Sequence, residues 1–107
     1  MQVFFSREGD ALLARIKGEI DMSVADALRR ELEENIERTE TNILFLDLSE
    51  VSFMDSSGLA VIMGRYRQMF CKKGQMVILR PQPQVERLLE LSGLSRIIAI
   101  RSKGLED

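Results

Sequence analysis

The 107 residues predict one α/β domain, residues 1–107, with a mixed β-sheet and helices packed against it in the order β-β-α-β-α-β-α-β. Three observations carry this. Two short strand-like runs at the N-terminus are joined by a stretch containing Gly9 and Asp10, which suits an antiparallel hairpin. The segment ILFLDL at 43–48 is apolar almost without a break, as in a strand covered on both faces. Segments with helical spacing then alternate with the later strands, the pattern of parallel strands linked by right-handed crossovers.

Taken in order, residues 2–5 and 11–17 are the opening strands. SVADALRRELEENIER at 23–38 is a helix whose Val24, Ala27, Leu28, Leu32 and Ile36 share a face, with Ser23 and Asp26 as a capping box. The run at 43–48 is the central strand. The next helix carries Leu59, Ile62, Met63, Tyr66, Met69 and Phe70 on one side and stops near Gly74, read as a left-handed cap. QMVILR supplies a strand. Prolines 81 and 83 are tolerated at a helix start, and Val85, Leu88 and Leu89 mark a short amphipathic helix that Gly93 ends. RIIAIR at 96–101 is the last strand, and SKGLED is too short and polar for a further packed helix.

Composition excludes several kinds of function. A net charge of −2 with interspersed signs leaves no basic stripe for a phosphate backbone, so nucleic acid is not expected as a partner. No apolar run approaches the roughly 18 residues that span a bilayer, and the N-terminal one is too short for a signal segment. A cytosolic protein without a membrane partner is expected. The single cysteine, Cys71, has no internal disulfide partner, and the absence of histidine removes Ser/His/Asp hydrolysis, histidine-bound zinc and imidazole base chemistry. Any enzyme made from this chain would have to work with carboxylates, lysines, Tyr66 or water; no catalytic residue, metal or cofactor is assigned. The pattern shows no large apolar surface, so a monomer is expected.

The chemistry concentrates in SFMDSSGLA, residues 52–60, where a strand hands over to a helix. Chains with alternating strands and helices gather functional groups at the carboxyl ends of strands, and the loops GEIDM and SEVSFMDSS both qualify. Asp55, Ser56 and Ser57 are good helix caps. Gly58 permits close backbone approach, so an anion cradle is a second reading, weakened by Asp55 and by the lack of any nucleotide-binding glycine motif. A third makes one serine a phosphate acceptor, since a phosphoserine is stabilised at a helix N-terminus. Extending the apolar stripe backwards favours Ser57 as the more exposed hydroxyl. Asp21 of GEID has a capping role as its plain alternative, Asp47 lines a strand end, Leu59 packs at the core's edge, and ELEENIE is a solvated face.

LDLSEVSFMDSSGLAVIMGRYR at 46–67 resembles the phosphorylation-site segment of the anti-sigma factor antagonists, which are STAS-domain proteins. KGEIDMSVADALRR resembles their second-strand and first-helix junction, and LLELSGLSRIIAI their last helix and strand. The resemblance implies a STAS-like fold and a binding protein that is no enzyme. Unmodified, such a domain binds an anti-sigma factor that is also a serine kinase and frees the sigma factor. The kinase modifies the serine after the motif aspartate, and a metal-dependent serine phosphatase reverses it. Carried over, the acceptor is Ser56, and Asp21, Asp55, Ser57, Gly58 and Leu59 form the partner-binding surface. VSFMDSSGL and GRYR point to the sporulation-type branch. The alternatives are a STAS module of a stress-signalling or membrane-associated assembly, or a small nucleotide-binding or hydrolytic protein with Ser56 as nucleophile and Asp21 or Asp55 as base. The family usually has a further C-terminal helix where this chain has SKGLED.

Overall fold

The computed structural model describes residues 1–106. Its elements follow the predicted order: β1 (Gln2–Glu8), β2 (Ala11–Ile20), α1 (Met22–Thr39), β3 (Ile43–Met54), α2 (Ser56–Cys71), β4 (Gln75–Leu79), α3 (Pro83–Ser92) and β5 (Ala99–Arg101). The sheet order is β1-β2-β3-β4-β5, with β1 antiparallel to β2 and every later pair parallel. β3 is therefore the middle strand, as its apolar run requires. The rows Leu12–Leu44–Met76 and Ala14–Leu46–Ile78 run across the sheet on one face, fully buried, and join Leu28, Leu32 and Ile36 of α1 and Val61, Ile62 and Met69 of α2 in one core. The opposite row, Leu13–Phe45–Val77, is half-buried.

Several local expectations need correction. β2 and β3 run on to Ile20 and Met54, well past 17 and 48, because Gly18, Glu19 and Ile20 keep pairing with Val51, Phe53 and Met54 across two register irregularities. GEIDM and SEVSFMDSS are thus mostly strand rather than loop. The inward face of α1 runs through Ala25, Leu28, Leu32 and Ile36, leaving Ala27 exposed. In α2 the buried positions are Gly58, Val61, Ile62, Arg65 and Met69, while Phe70 is 69% exposed and only leans on Tyr66. The last strand shrinks to Ala99–Arg101: Gly93 turns left-handed at φ 86°, and a 3-10 turn at Leu94–Arg96 occupies backbone that would have paired.

Gly74 serves a purpose other than capping. The left-handed residue after α2 is Lys73, at φ 60°. A Cβ on Gly74 would stand 2.5 Å from the Asn42 carbonyl oxygen, so only glycine lets the chain enter β4 against the start of β3.

Candidate functional site

β2 and β3 end side by side, Ile20 paired with Met54, and the next residue after each, Asp21 and Asp55, caps the helix that follows. The two caps share one form. Asp21 has φ −119°, ψ −176° and Asp55 has φ −113°, ψ −167°, both extended. Asp21 Oδ1 accepts from the Ser23 N–H at 3.0 Å and from its hydroxyl at 2.6 Å. Asp55 Oδ1 accepts from the Ser57 N–H at 2.9 Å, the Ser57 hydroxyl at 2.5 Å and the Gly58 N–H at 3.4 Å. Each carboxylate thus satisfies donors that the first helical turn leaves without partners. The Asp55 N–H donates to the Ile20 carbonyl at 3.2 Å and fixes the two helix starts to each other.

The predicted capping box of Ser23 and Asp26 does not form. α1 begins earlier, at Met22, and Asp26 instead meets Arg29 at 2.8 Å and Arg30 at 3.0 Å. A signal for the true cap was present in the sequence: Asp-x-Ser occurs after each strand, as DMS and as DSS.

Within DSSG the two hydroxyls have different situations. Ser56 opens α2, lies exposed, and its hydroxyl makes no hydrogen bond among the described residues. Ser57 is half-buried with its hydroxyl on Asp55. This reverses the exposure order inferred from the stripe, because the inward face passes through Gly58, Val61 and Arg65 rather than through Tyr66 and Phe70. The Ser57 hydroxyl, together with the N–H groups of Ser57, Gly58 and Met22, outweighs desolvation and holds the Asp55 carboxyl below the usual carboxylate range. Asp55 is therefore an anionic cap and a weak base.

Gly58 is buried: a Cβ there would lie 2.5 Å from Met54 Cγ and 3.0 Å from Ile20 Cγ2, so the close approach it permits is of α2 onto the two strand ends. Leu59 is half-buried against the core. Asp21 and Asp55 are half-buried at the rim, flanked by two exposed apolar side chains, Met22 at 81% and Phe53 at 46%.

Asp47 lies elsewhere in the fold. It is 2% exposed, accepts from the Ser49 N–H at 2.9 Å and pairs with Arg80 at 2.6 Å, a structural anchor on the half-covered sheet face. Sequence reasoning missed Arg65, which is 5% exposed and bonds the Arg29 carbonyl at 3.3 Å and Glu33 at 3.2 Å. Its phase with Val61, Ile62 and Met69, an arginine on an apolar stripe, was the available signal. Glu33 of the supposedly solvated ELEENIE face is thereby part of the contact between α1 and α2. Among the described residues no three His, Cys, Asp or Glu side chains gather as metal ligands, and no helix is long and apolar enough to cross a membrane.

Residues 5–104 match the STAS domain family. The anti-sigma F factor antagonist of Paenibacillus polymyxa is 38% identical over 94% of this chain and 86% of its own length. The anti-sigma-B factor antagonist of Listeria monocytogenes is 34% identical over 90% of this chain and 83% of its own. The structure of the anti-sigma factor antagonist SpoIIAA in its unphosphorylated form superposes with a TM-score of 0.80 at 24% identity, over 92% of this chain and 87% of that one, which places the fold. The chain belongs to the STAS domain family, and its relatives there are anti-sigma factor antagonists.

Proposed function

We propose that this protein is a cytoplasmic anti-sigma factor antagonist: unmodified, it binds an anti-sigma factor that is also a serine kinase and so releases a sigma factor, and phosphorylation of Ser56 ends that binding. The relatives' names supply the class of partner. One observation supports Ser56 as the acceptor: of the two adjacent hydroxyls, its own is exposed and unengaged, while that of Ser57 is held by Asp55.

The chemistry favours a binding module acted on by other proteins. Ser56 has no imidazole to activate it, because the chain has none, and the neighbouring Asp55 is a weakened base. The base and the nucleotide must therefore come from the kinase. Ser56 Oγ attacks the γ-phosphorus of ATP, the bond to the β-bridging oxygen breaks, the hydroxyl proton passes to a kinase base, and ADP leaves. A metal-dependent serine phosphatase hydrolyses the ester and restores the binding form.

Phosphate at the start of α2 is compatible with the helix dipole, so the fold survives modification. The partner feels the change. Nearly two added negative charges beside Asp21 and Asp55 must be desolvated when the surface docks, at a cost of several kcal/mol or about a thousandfold in affinity. The test is titration calorimetry of both forms against a purified anti-sigma F factor kinase, alongside intact-mass measurement after incubation with MgATP. One phosphate, absent from Ser56→Ala, and a loss of binding on phosphorylation are expected. A phosphate that persists in Ser56→Ala, or equal affinities of the two forms, overturns the assignment.

A further inference from the structure

The far end of α2 lies beside an open edge of the sheet. RIIAIR has the composition of a full strand, yet only Ala99–Arg101 pairs, and it meets β4 at Val77–Leu79. The first two residues of β4, Gln75 and Met76, have β3 on one side and no strand on the other. Gln75 donates its N–H to the Asn42 carbonyl at 2.8 Å, on the β3 side. Backbone groups alternate along a strand, so the Met76 N–H points to the side where β5 has not yet begun. A cleft of about 270 Å³ opens there, with Tyr66, Met69, Phe70, Val77 and Ile97 among its walls. Phe70 and Ile97 are exposed apolar side chains at its mouth.

The charge around the cleft is one-sided. From Ser56 to Val85 the chain has five basic residues and no acidic one. Arg15, Arg29, Arg30, Arg65 and Arg80 are held by carboxylates. Arg67 on α2, Lys73 just after it and Arg96 next to Ile97 are exposed, and among the described residues none of the three has an ion pair or a side-chain hydrogen bond. Lys73 also holds the left-handed conformation, at φ 60°, where glycine would be unstrained. A cation is kept there against the backbone's preference.

We propose that this edge binds an extended acidic segment of a partner protein. The segment's backbone pairs with β4 at Met76, one large apolar side chain enters the cleft, and flanking carboxylates meet Lys73, Arg67 and Arg96. In recognition by strand addition, main-chain bonds supply affinity and pockets beside the strand supply selectivity. A strand satisfies the Met76 N–H, which a helix or a lipid surface would leave unpaired. Ser56 is at the opposite end of α2, about 20 Å away at about 1.5 Å per residue and beyond the reach of its charge at physiological salt. The edge therefore binds in both states of the acceptor, and the inference does not rest on the function proposed above.

The test is selection of random displayed nonapeptides against the full chain at physiological salt. Fluorescence anisotropy of the enriched peptides follows, with wild type, Lys73→Gly, Phe70→Ser and Ser56→Asp, each variant checked by thermal melt. Enriched peptides should carry an aromatic or branched apolar residue flanked by Asp or Glu, and should slow amide exchange at Met76. Ser56→Asp should bind them as wild type does, and Phe70→Ser about tenfold more weakly. Lys73→Gly should melt above wild type yet bind severalfold more weakly, with a shallower salt dependence. Absence of acidic enrichment, wild-type affinity in either Phe70→Ser or Lys73→Gly, or a Met76 amide that exchanges equally fast with and without peptide overturns the assignment. Phosphatidylglycerol vesicles that float the protein and displace the peptides give the edge to a membrane and overturn it. A wild-type dimer by light scattering that Lys73→Gly dissociates gives it to a second copy and also overturns it.

Discussion

Gly58→Ala should destabilise the protein even though it replaces glycine by the best helix former. The new Cβ would stand 2.5 Å from Met54 Cγ, 3.2 Å from Met54 Sδ and 3.0 Å from Ile20 Cγ2, where unstrained carbon contacts lie at about 3.5–4.0 Å. Something must move by roughly 1 Å. Neither neighbour gives easily, since both are buried residues that end the paired strands β2 and β3, and the contact is with the middle of the Met54 side chain rather than its tip. Overpacking of this kind costs about 1–3 kcal/mol, and the gain in helix propensity recovers at most about 1 kcal/mol, less in a first turn than in a helix interior. A net loss of about 1–2 kcal/mol remains, and each kcal/mol lowers the melting temperature of a domain this size by about 4–8 °C. Because Asp21 and Asp55 are the residues after those strand ends, the kinase should also phosphorylate the variant more slowly. Thermal and urea melts measure the loss. A double-mutant cycle with Met54→Ala assigns it, because removing Cγ and Sδ should make the second substitution much less costly. A Gly58→Ala protein as stable as wild type, or a strictly additive cycle, refutes the reasoning. In the same helix Gly64→Ala should have the opposite sign, since a Cβ there meets nothing within 4 Å.

Ser57→Ala should lower the melting temperature, because the hydroxyl held by Asp55 is lost, yet still take up one phosphate by intact mass. Loss of phosphate with unchanged stability would exchange the roles given to the two serines. Acid should destabilise the fold partly through Asp47: burial raises its carboxyl, but the Ser49 N–H and hydroxyl together with Arg80 outweigh that and leave it below the ordinary range. With a depressed folded value, this stabilisation is complete above the unfolded value of about 3.9 and is lost as pH falls through the folded one. Urea melts from pH 6 to pH 2.5 should show a shallower decline in Asp47→Asn than in wild type, and parallel curves would remove Asp47 from the account.

Period and punctuation carried most of the fold. Continuous apolar runs placed β3 and β4, Gly9 and Asp10 marked the hairpin, and Gly93 ended α3, because each depends on local backbone or solvent preferences. What escaped was decided between elements. The extension of β2 and β3 rests on Gly18–Val51 and Ile20–Met54 pairing, so neither segment reveals it alone. Arg65 broke the apolar rule because Glu33 and the Arg29 carbonyl, about 32 to 36 positions away, satisfy it. Phe70 obeyed the period but stands 69% exposed while its neighbour Met69 is buried, and the stripe drawn through Phe70 and Tyr66 rotated the helix enough to exchange Ser56 and Ser57. The resemblance to a family pointed to Ser56 where periodicity pointed to its neighbour. Periodicity locates a helix face to within a residue or so, too coarse to choose between adjacent hydroxyls.

The caps also explain why a phosphate here should act at the interface rather than on the fold. Of the donors at the start of α2, the N–H groups of Ser57 and Gly58 are already on the Asp55 carboxylate, and those of Gly58 and Leu59 approach the Asp55 carbonyl. A phosphate on Ser56 cannot take the cap's donors without displacing Asp55. Displacing Asp55 would release Ser57 and strip an anion from a position that the helix dipole favours. The Asp55 N–H is in turn fixed to Ile20, and the Met22 N–H adds to the donors around the Asp55 carboxylate, so the start of α1 resists the same movement. With its inward partners committed, the phosphate is left at the rim, where its charge adds to those of Asp21 and Asp55. A switch by rearrangement needs a second packing of comparable energy. Here the acceptor sits on two strand ends whose side chains, Ile20 and Met54, lie directly under Gly58, and a shift of the helix start would drive α2 into them or open a void beneath it. Repulsion and desolvation at the docking surface require neither movement.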